Sequence, residues 1–178
     1  MQVKILGSAA GGGFPQWNCA CSNCARLRAG ALHGRARTQA QLAIRMPDRP
    51  WCLINASPDL RAQILADPDC APQKSPRHSP IAAIFLTSAD VDQVMGLLHL
   101  REFQPLRIYA SLPVLQILRE ENSIFRSLEQ IDDQAVWRAV SAGNPEELQS
   151  RDGASLGFRS RPLRSEAKLP VTPENSLA

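Results

Sequence analysis

As far as Val140, short apolar runs of strand length alternate with segments whose apolar residues recur at helical spacing. The unbroken apolar run Ile81–Leu86 is typical of a central strand that is covered on both faces. The other predicted strands are Val3–Leu6, a half-exposed Gln41–Met46, a more buried Trp51–Asn55 and Leu106–Ala110. The predicted helices are Ala25–Gly30, a helix that starts at the capping sequence Ser57-Pro58-Asp59, Val94–Leu100, and Ser111 to about Asn122. Strands that alternate with helices predict an α/β layered fold.

The pattern weakens after Val140, where Gly, Pro, Ser and charged residues dominate and only one weak strand is predicted, at Leu156–Arg161. Few apolar residues occur in Arg164–Ala178, which predicts disorder. We therefore expect an incomplete domain over residues 1–150 and an irregular or disordered tail over residues 151–178. The polar, proline-rich stretch Asp67–Pro80 predicts a surface loop.

Composition narrows the classes of protein that fit. The chain has 178 residues, an apolar fraction of 44% and a net charge of +3, which suits one domain and argues against nucleic acid as a partner. No apolar run approaches the roughly 20 residues that a membrane span needs. The first residues lack the basic, apolar and small-residue pattern of a secretory signal, so we expect none. The five cysteines are an odd number, which argues against a disulfide scaffold. We expect a cytoplasmic protein.

The loop Gly7–Cys24, GSAAGGGFPQWNCACSNC, contains three consecutive glycines and then cysteines in C-x-C-x-x-C spacing. A tight turn can bring Cys19, Cys21 and Cys24 together on one metal ion, and zinc accepts thiolates with a fourth ligand from elsewhere, such as water or His33. The alternative is that these residues are small buried hydrophobes or a redox pair.

A second candidate site follows the predicted central strand. Asp90 and Asp92 lie just past the end of that strand, where ligands gather in α/β sheets, and hard cations accept carboxylate oxygens. The alternative is that Ser88, Asp90 or Asp92 caps the helix that follows. Of the histidines, His99 is expected to be a packed side chain.

Four stretches of sequence resemble one family over roughly Met1–Val140. They are VKILGSAAGGGFPQWNCACSNC, RARTQAQLAI, LINASPDLRAQI and IFLTSADVDQVMGLLHLREFQPLRIYA. Together they are similar to the coenzyme PQQ (pyrroloquinoline quinone) synthesis protein B family of the metallo-β-lactamase superfamily.

That resemblance implies an αββα sandwich with two facing sheets and helices outside. Family members are longer, so we expect the N-terminal half of the sandwich, with an apolar sheet face left uncovered. It implies a structural zinc on the three thiols. It also places the acidic loop at the superfamily sequence H-x-H-x-D-H: Ser88 and Asp90 stand at the two histidine positions, Asp92 keeps the acid, and Gln93, a weak neutral ligand, takes the last position.

The function implied by the resemblance is iron-dependent hydroxylation of a tyrosine-derived precursor in PQQ biosynthesis. Under this hypothesis Asp90 and Asp92 are catalytic metal ligands and Gln93 is a further ligand. The substrate is a small-molecule or peptide-derived precursor of PQQ. One alternative is carriage of PQQ or its precursor toward the periplasm. Another is an inactive, truncated remnant, since the chain is short. Self-association stays open.

Overall fold

The computed structural model describes residues 1–72, 77–102 and 105–161. Its centre is a six-stranded sheet with the order β1-β2-β3-β4-β5-β6, and β7 and β8 form a separate two-stranded sheet. The strands are β1 (Gln2–Gly7), β2 (Gln41–Arg45), β3 (Trp51–Ile54), β4 (Ile81–Phe85), β5 (Leu106–Ser111), β6 (Ala135–Val140), β7 (Glu146–Gln149) and β8 (Ser155–Ser160). The α-helices are α1 (Ser22–Arg28), α2 (Leu60–Ala66), α3 (Val91–Val94) and α4 (Leu112–Gln116). A π turn spans Ile117–Glu121, and 3₁₀ helices span Pro68–Cys70, Met95–Leu100 and Ser123–Glu129.

The large sheet is antiparallel at one side and parallel at the other. β1, β2 and β3 pair in antiparallel fashion, whereas β3, β4, β5 and β6 are parallel neighbours. Helical segments connect β3 to β4, β4 to β5 and β5 to β6, so the predicted α/β layering is confirmed. The carboxyl ends of β3, β4 and β5 consequently meet at one edge of the sheet, and the acidic loop follows β4 at that edge.

Each face of the large sheet has its own hydrophobic core. The helices cover one face, where Leu60, Leu97 and Leu118 pack on strand residues such as Ile84 and Ile108. The two-stranded sheet covers part of the other face, where a second core consists of Cys52, Ala83, Tyr109, Val140, Leu148 and Leu156. A helical layer, a large sheet and the start of a second sheet thus form three of the four expected layers.

The uncovered part of the second face lies on the antiparallel side of the sheet. Val3, Ile5 and Leu42 point to that face and remain exposed, with Ile5 at 71%. The expectation of an apolar sheet face without a partner is therefore met at β1 and β2. Among the residues described, no helix is long and apolar enough to cross a membrane.

Strand β2 is half-exposed and β3 is more buried, as predicted, but the first residue that β2 buries is polar. Gln41 is 2% exposed, whereas its neighbour Leu42 is 38% exposed. The Gln41 amide nitrogen donates to the backbone oxygens of Ile54 and Asn55 at 3.1 and 2.9 Å, and its amide oxygen accepts from the Ser57 backbone at 2.8 Å. Because every polar atom of this side chain has a hydrogen-bond partner, its burial is tolerated.

The start of α2 also differs from the prediction. Ser57 does not cap the helix; its buried hydroxyl donates to the Gln63 side chain at 3.0 Å. The helix begins at Leu60 with Asp59 at its N-terminal cap position, and the Asp59 carboxylate accepts from the Gln39 backbone at 2.9 Å instead. Both side chains therefore form hydrogen bonds with other residues instead of capping the helix.

The C-terminal region is more regular than predicted. Strands β6 and β7 were not anticipated, while β8 coincides with the predicted weak strand. A domain boundary at residue 150 falls between β7 and β8, which are antiparallel partners, so the tail over residues 151–178 is not irregular throughout. Tyr109 anchors this hairpin: its hydroxyl donates to the Gln149 carbonyl at 3.0 Å and accepts from the Gln149 amide at 2.8 Å. The disorder predicted for Arg164–Ala178 lies outside the described residues.

Candidate metal-binding sites

The three cysteines of the N-terminal loop converge in space. The Sγ atoms of Cys19, Cys21 and Cys24 all lie within 4.8 Å of one another. Thiolates bound about 2.3 Å from a tetrahedral zinc lie about 3.8 Å apart, so small adjustments would bring these sulfurs onto one ion. The donor set therefore fits the zinc that the sequence predicts.

Local backbone geometry explains this convergence. Gly13 has a φ of +72°, a conformation that side chains disfavour, and its amide donates to the Ala10 carbonyl at 2.8 Å to turn the chain. A further turn bonds the Cys19 amide to the Gln16 carbonyl at 3.1 Å. Cys21 is then the N-cap of α1, and Cys24 lies within the helix, where it is buried. Turn and helix together bring the i, i+2 and i+5 thiols to one side.

The thiols of Cys21 and Cys24 differ in their pKa. A hydrogen bond from the Cys24 backbone, with help from the Cys19 thiol, lowers the pKa of Cys21 to about 7. A hydrogen bond from the Gln16 backbone acts on Cys24 in the same direction, but burial and the Cys21 and Cys19 thiols outweigh it and raise the Cys24 pKa. Cys21 therefore becomes a thiolate, the form that binds metal, at lower pH than Cys24 does.

The remaining cysteines and the candidate fourth ligand lie apart from this cluster. Burial raises the pKa of Cys52 to about 12 and that of Cys70 to about 11, which is typical of inert core thiols. All five cysteines are free. His33 is exposed and is not among the groups that converge on the three sulfurs in the described part of the chain.

The acidic loop occupies the carboxyl end of β4, as predicted. Asp90 is the N-cap residue of α3, but its carboxylate makes no capping bond and instead accepts from the Ser88 hydroxyl at 2.8 Å. Asp92 is half-buried, and one of its oxygens lies 3.4 Å from the Gln93 amide nitrogen. The side chains of Ser88, Asp90 and Asp92 therefore do not cap the helix, and Gln93 turns a donor toward the acid rather than a lone pair toward a metal.

The turn after β3 holds the acidic loop at both ends. Asn55, with a φ of +66°, accepts from the backbone amide and the hydroxyl of Thr87 at 2.8 and 3.0 Å. Beyond the aspartates, the Ala56 amide donates to the Gln93 carbonyl at 2.7 Å. Gly96 packs so closely that an added Cβ would lie 2.1 Å from the Ser57 carbonyl. Sequence analysis missed Asn55; the available signal was an asparagine, which tolerates positive φ, directly after a strand.

The glycine loop touches the acidic loop. A Cβ on Gly11 would lie 3.1 Å from an Asp92 carboxylate oxygen and 3.4 Å from its Cβ. This close approach brings the thiol-containing loop and the acidic loop side by side, so a glycine suits the contact.

The acidic loop supplies few donors for a catalytic metal. Among the described residues, the three cysteines are the one group of three or more His, Cys, Asp or Glu side chains with converging ligand atoms. Within residues 1–72, 77–102 and 105–161, Asp90 and Asp92 therefore have no third ligand of these types converging with them. His99, predicted to be packed, is exposed in the 3₁₀ helix. The loop by itself does not match the several-ligand set of an oxygen-activating iron.

Family comparison covers most of the chain. The family model described as beta-lactamase superfamily domain matches residues 50–178. Coenzyme PQQ synthesis protein B of Methylobacterium sp. (strain 4-46) is 53% identical over 115 residues, which is 65% of this chain and 38% of that protein. The protein of the same name from Rhodopseudomonas palustris (strain CGA009) is 48% identical over 161 residues, which is 89% of this chain and 50% of the relative.

Solved structures agree with this grouping. Zn²⁺-bound PqqB from Methylobacterium extorquens has a TM-score of 0.76 and 46% identity, covering 83% of this chain and 48% of that one. A diphosphatase of the PhnP family has a TM-score of 0.62 at 20% identity, which shows the fold alone. The chain spans about half the length of the curated relatives it matches, or less. On the combined evidence of fold and sequence, the chain belongs to the beta-lactamase superfamily and, within it, is similar to the coenzyme PQQ synthesis B proteins.

Proposed function

We propose that the chain acts in PQQ biosynthesis and contributes Asp90 and Asp92 to the metal-dependent hydroxylation of a tyrosine-derived precursor. The similarity to coenzyme PQQ synthesis protein B supports the pathway. The observation that carries the site is the acidic loop at the carboxyl end of β4, with both carboxylates free of a capping role. Ligand sites in α/β sheets occur at such an edge.

The part played by this chain is limited to what its residues offer. Asp90 and Asp92 supply two hard oxygen donors, and Asn55 fixes the backbone just before them. The other ligands of a catalytic iron have to come from outside the described residues. Zinc on the three thiols is structural in this proposal: it orders the loop whose Gly11 lies against Asp92.

Metal analysis and turnover test the proposal together. The purified chain is loaded with Fe²⁺ under anaerobic conditions, exposed to the tyrosine-derived precursor and oxygen, and assayed for a hydroxylated product by mass spectrometry. Asp92→Asn is the matched variant, since it keeps the size of the side chain and removes the charge. Hydroxylation by the unaltered chain that Asp92→Asn abolishes is the expected result.

Isothermal titration calorimetry distinguishes the hydroxylase hypothesis from the competing hypothesis that the chain is a carrier. A carrier binds PQQ or its precursor without turnover, and Asp92→Asn leaves that binding unchanged. Absence of iron binding and of product in a folded, zinc-loaded preparation would reject the hydroxylase role for this chain.

A further inference from the structure

Arg28 links the two parts of the N-terminal loop that carry the thiols. It is the last residue of α1, and its guanidinium reaches back over the loop before the helix. Nη1 donates to the Cys19 carbonyl at 2.6 Å, and Nη2 donates to the Gln16 carbonyl. A planar guanidinium presents several donors in a fixed fork, so one side chain binds the carbonyls at both ends of the turn from Gln16 to Cys19.

The connection matters because the three ligands belong to different local structures. Cys21 and Cys24 are attached to α1, as its N-cap and as a residue of its first turn. Cys19 precedes the helix and belongs to the turn closed by its own amide and the Gln16 carbonyl at 3.1 Å. Arg28 holds the carbonyls of Cys19 and Gln16 against the C-terminal end of α1. The Cys19 turn and the helix that carries Cys21 and Cys24 are thereby joined into one unit.

We propose that Arg28 is a positioning residue for the metal on the three thiols: it preassembles the sulfurs before the ion binds. The three sulfurs lie within 4.8 Å of one another where Arg28 holds the Cys19 turn against α1. A ligand set that is ordered beforehand loses less conformational freedom on binding, which strengthens affinity. Groups that orient metal ligands typically change metal affinity by about 10–100-fold when removed.

Arg26 offers a matched control on the same helix. Its guanidinium is exposed and donates to the Ala31 carbonyl at 3.2 Å, on the side of the loop that follows the helix. Arg26→Ala removes the same charge and a similar hydrogen bond, but it leaves the Cys19 turn untouched.

The test measures zinc affinity of the full chain by competition with a chromophoric chelator. Arg28→Ala should weaken zinc binding by about 10–100-fold, Arg28→Lys should recover part of the loss through one donor, and Arg26→Ala should bind as the unaltered chain does. Equal zinc affinities for Arg28→Ala and Arg26→Ala would overturn the proposal.

Cobalt spectra separate positioning from a general loss of structure. At saturating Co²⁺, Arg28→Ala should regain the thiolate-to-cobalt charge-transfer intensity of the unaltered chain, because its ligands are the same and only their preassembly is lost. A variant that never reaches that intensity has lost the loop conformation itself, which would replace the positioning role with a purely structural one. Neither readout depends on the reaction proposed for the acidic loop.

Discussion

The thiol cluster and the acidic loop are both candidate metal sites, yet they differ in how complete they are. Three soft donors converge at the N-terminal loop, all from six consecutive positions. The acidic loop supplies two carboxylates and an amide that donates to one of them. A local turn can assemble the first site, whereas the second depends on ligands that distant parts of a fold must bring.

The two sites also differ in what holds them. The cluster is organised by contacts within its own segment, such as the bond from Arg28 to the Cys19 carbonyl. The acidic loop is held from another strand end, through Asn55 and Ala56. The comparison predicts that the thiol cluster binds metal independently of the remainder of the fold. Metal binding at the acidic loop, in contrast, should depend on ligands and contacts from other parts of the fold.

Thiol reactivity gives the largest expected effect. In zinc-free protein, iodoacetamide should alkylate Cys21 roughly 1,000-fold faster than Cys52 at neutral pH, because the thiolate is the nucleophile. The rate at Cys21 should rise with pH and level off above its pKa of about 7, whereas Cys52, with a pKa of about 12, stays protonated. Peptide mapping by mass spectrometry gives both rates.

Zinc provides the control for that experiment. Stoichiometric zinc should suppress alkylation of Cys19, Cys21 and Cys24 alike, since metal coordination occupies the thiolates. Unchanged alkylation in the presence of zinc would mean that the three thiols are only packed together.

Loss of one thiol should have the next largest effect. Cys21→Ser should lower zinc affinity by at least about 100-fold, more than loss of an orienting group usually does. Hydrogen exchange should then show a looser N-terminal loop, while the β2–β3 hairpin stays protected, because its core contacts lie elsewhere. If Cys21→Ser keeps its zinc and its melting temperature, the zinc assignment is wrong.

Gln93→His is designed to reduce the difference between the sites. An imidazole beside Asp92 offers a lone pair where the amide now donates, so Mn²⁺ affinity at the acidic loop should rise about tenfold, or about 1.4 kcal/mol. Titration of Mn²⁺ into both versions measures the change. Gln93→Asn, which shortens the amide without adding a ligand, should produce no gain. Equal Mn²⁺ binding by Gln93→His and the unaltered chain would indicate a structural loop.

Asn55 should give the smallest effect. Asn55→Gly tolerates the φ of +66° but removes the acceptor for Thr87, so the free energy of unfolding should fall by about 1 kcal/mol. Asn55→Asp keeps the acceptor oxygen and should stay close to the unaltered chain. Urea unfolding measures the loss, and faster amide exchange at Thr87 locates it. Unaltered exchange in Asn55→Gly would show that this hydrogen bond does not hold the acidic loop.

Sequence patterns predicted the elements that have a local hydrophobic signal. The buried run that became β4, the strand and helix alternation, and the weak strand that became β8 all follow from hydrophobic patterning. The thiol cluster was predictable as well, because spacing alone limits how far three sulfurs in six positions can separate.

Tertiary structure decided the features that depend on distant partners. Gln41 is buried because the end of β3 offers two carbonyls and the Ser57 amide offers a donor, which no local pattern reveals. The Asp59 carboxylate turned to the Gln39 amide for the same reason. β6 gained its place through parallel pairing with β5, and β7 through its antiparallel pairing with β8. A hydrogen bond between groups far apart in sequence forms only when the fold brings them together, so Asn55 could be recognised as the support of the acidic loop only in three dimensions.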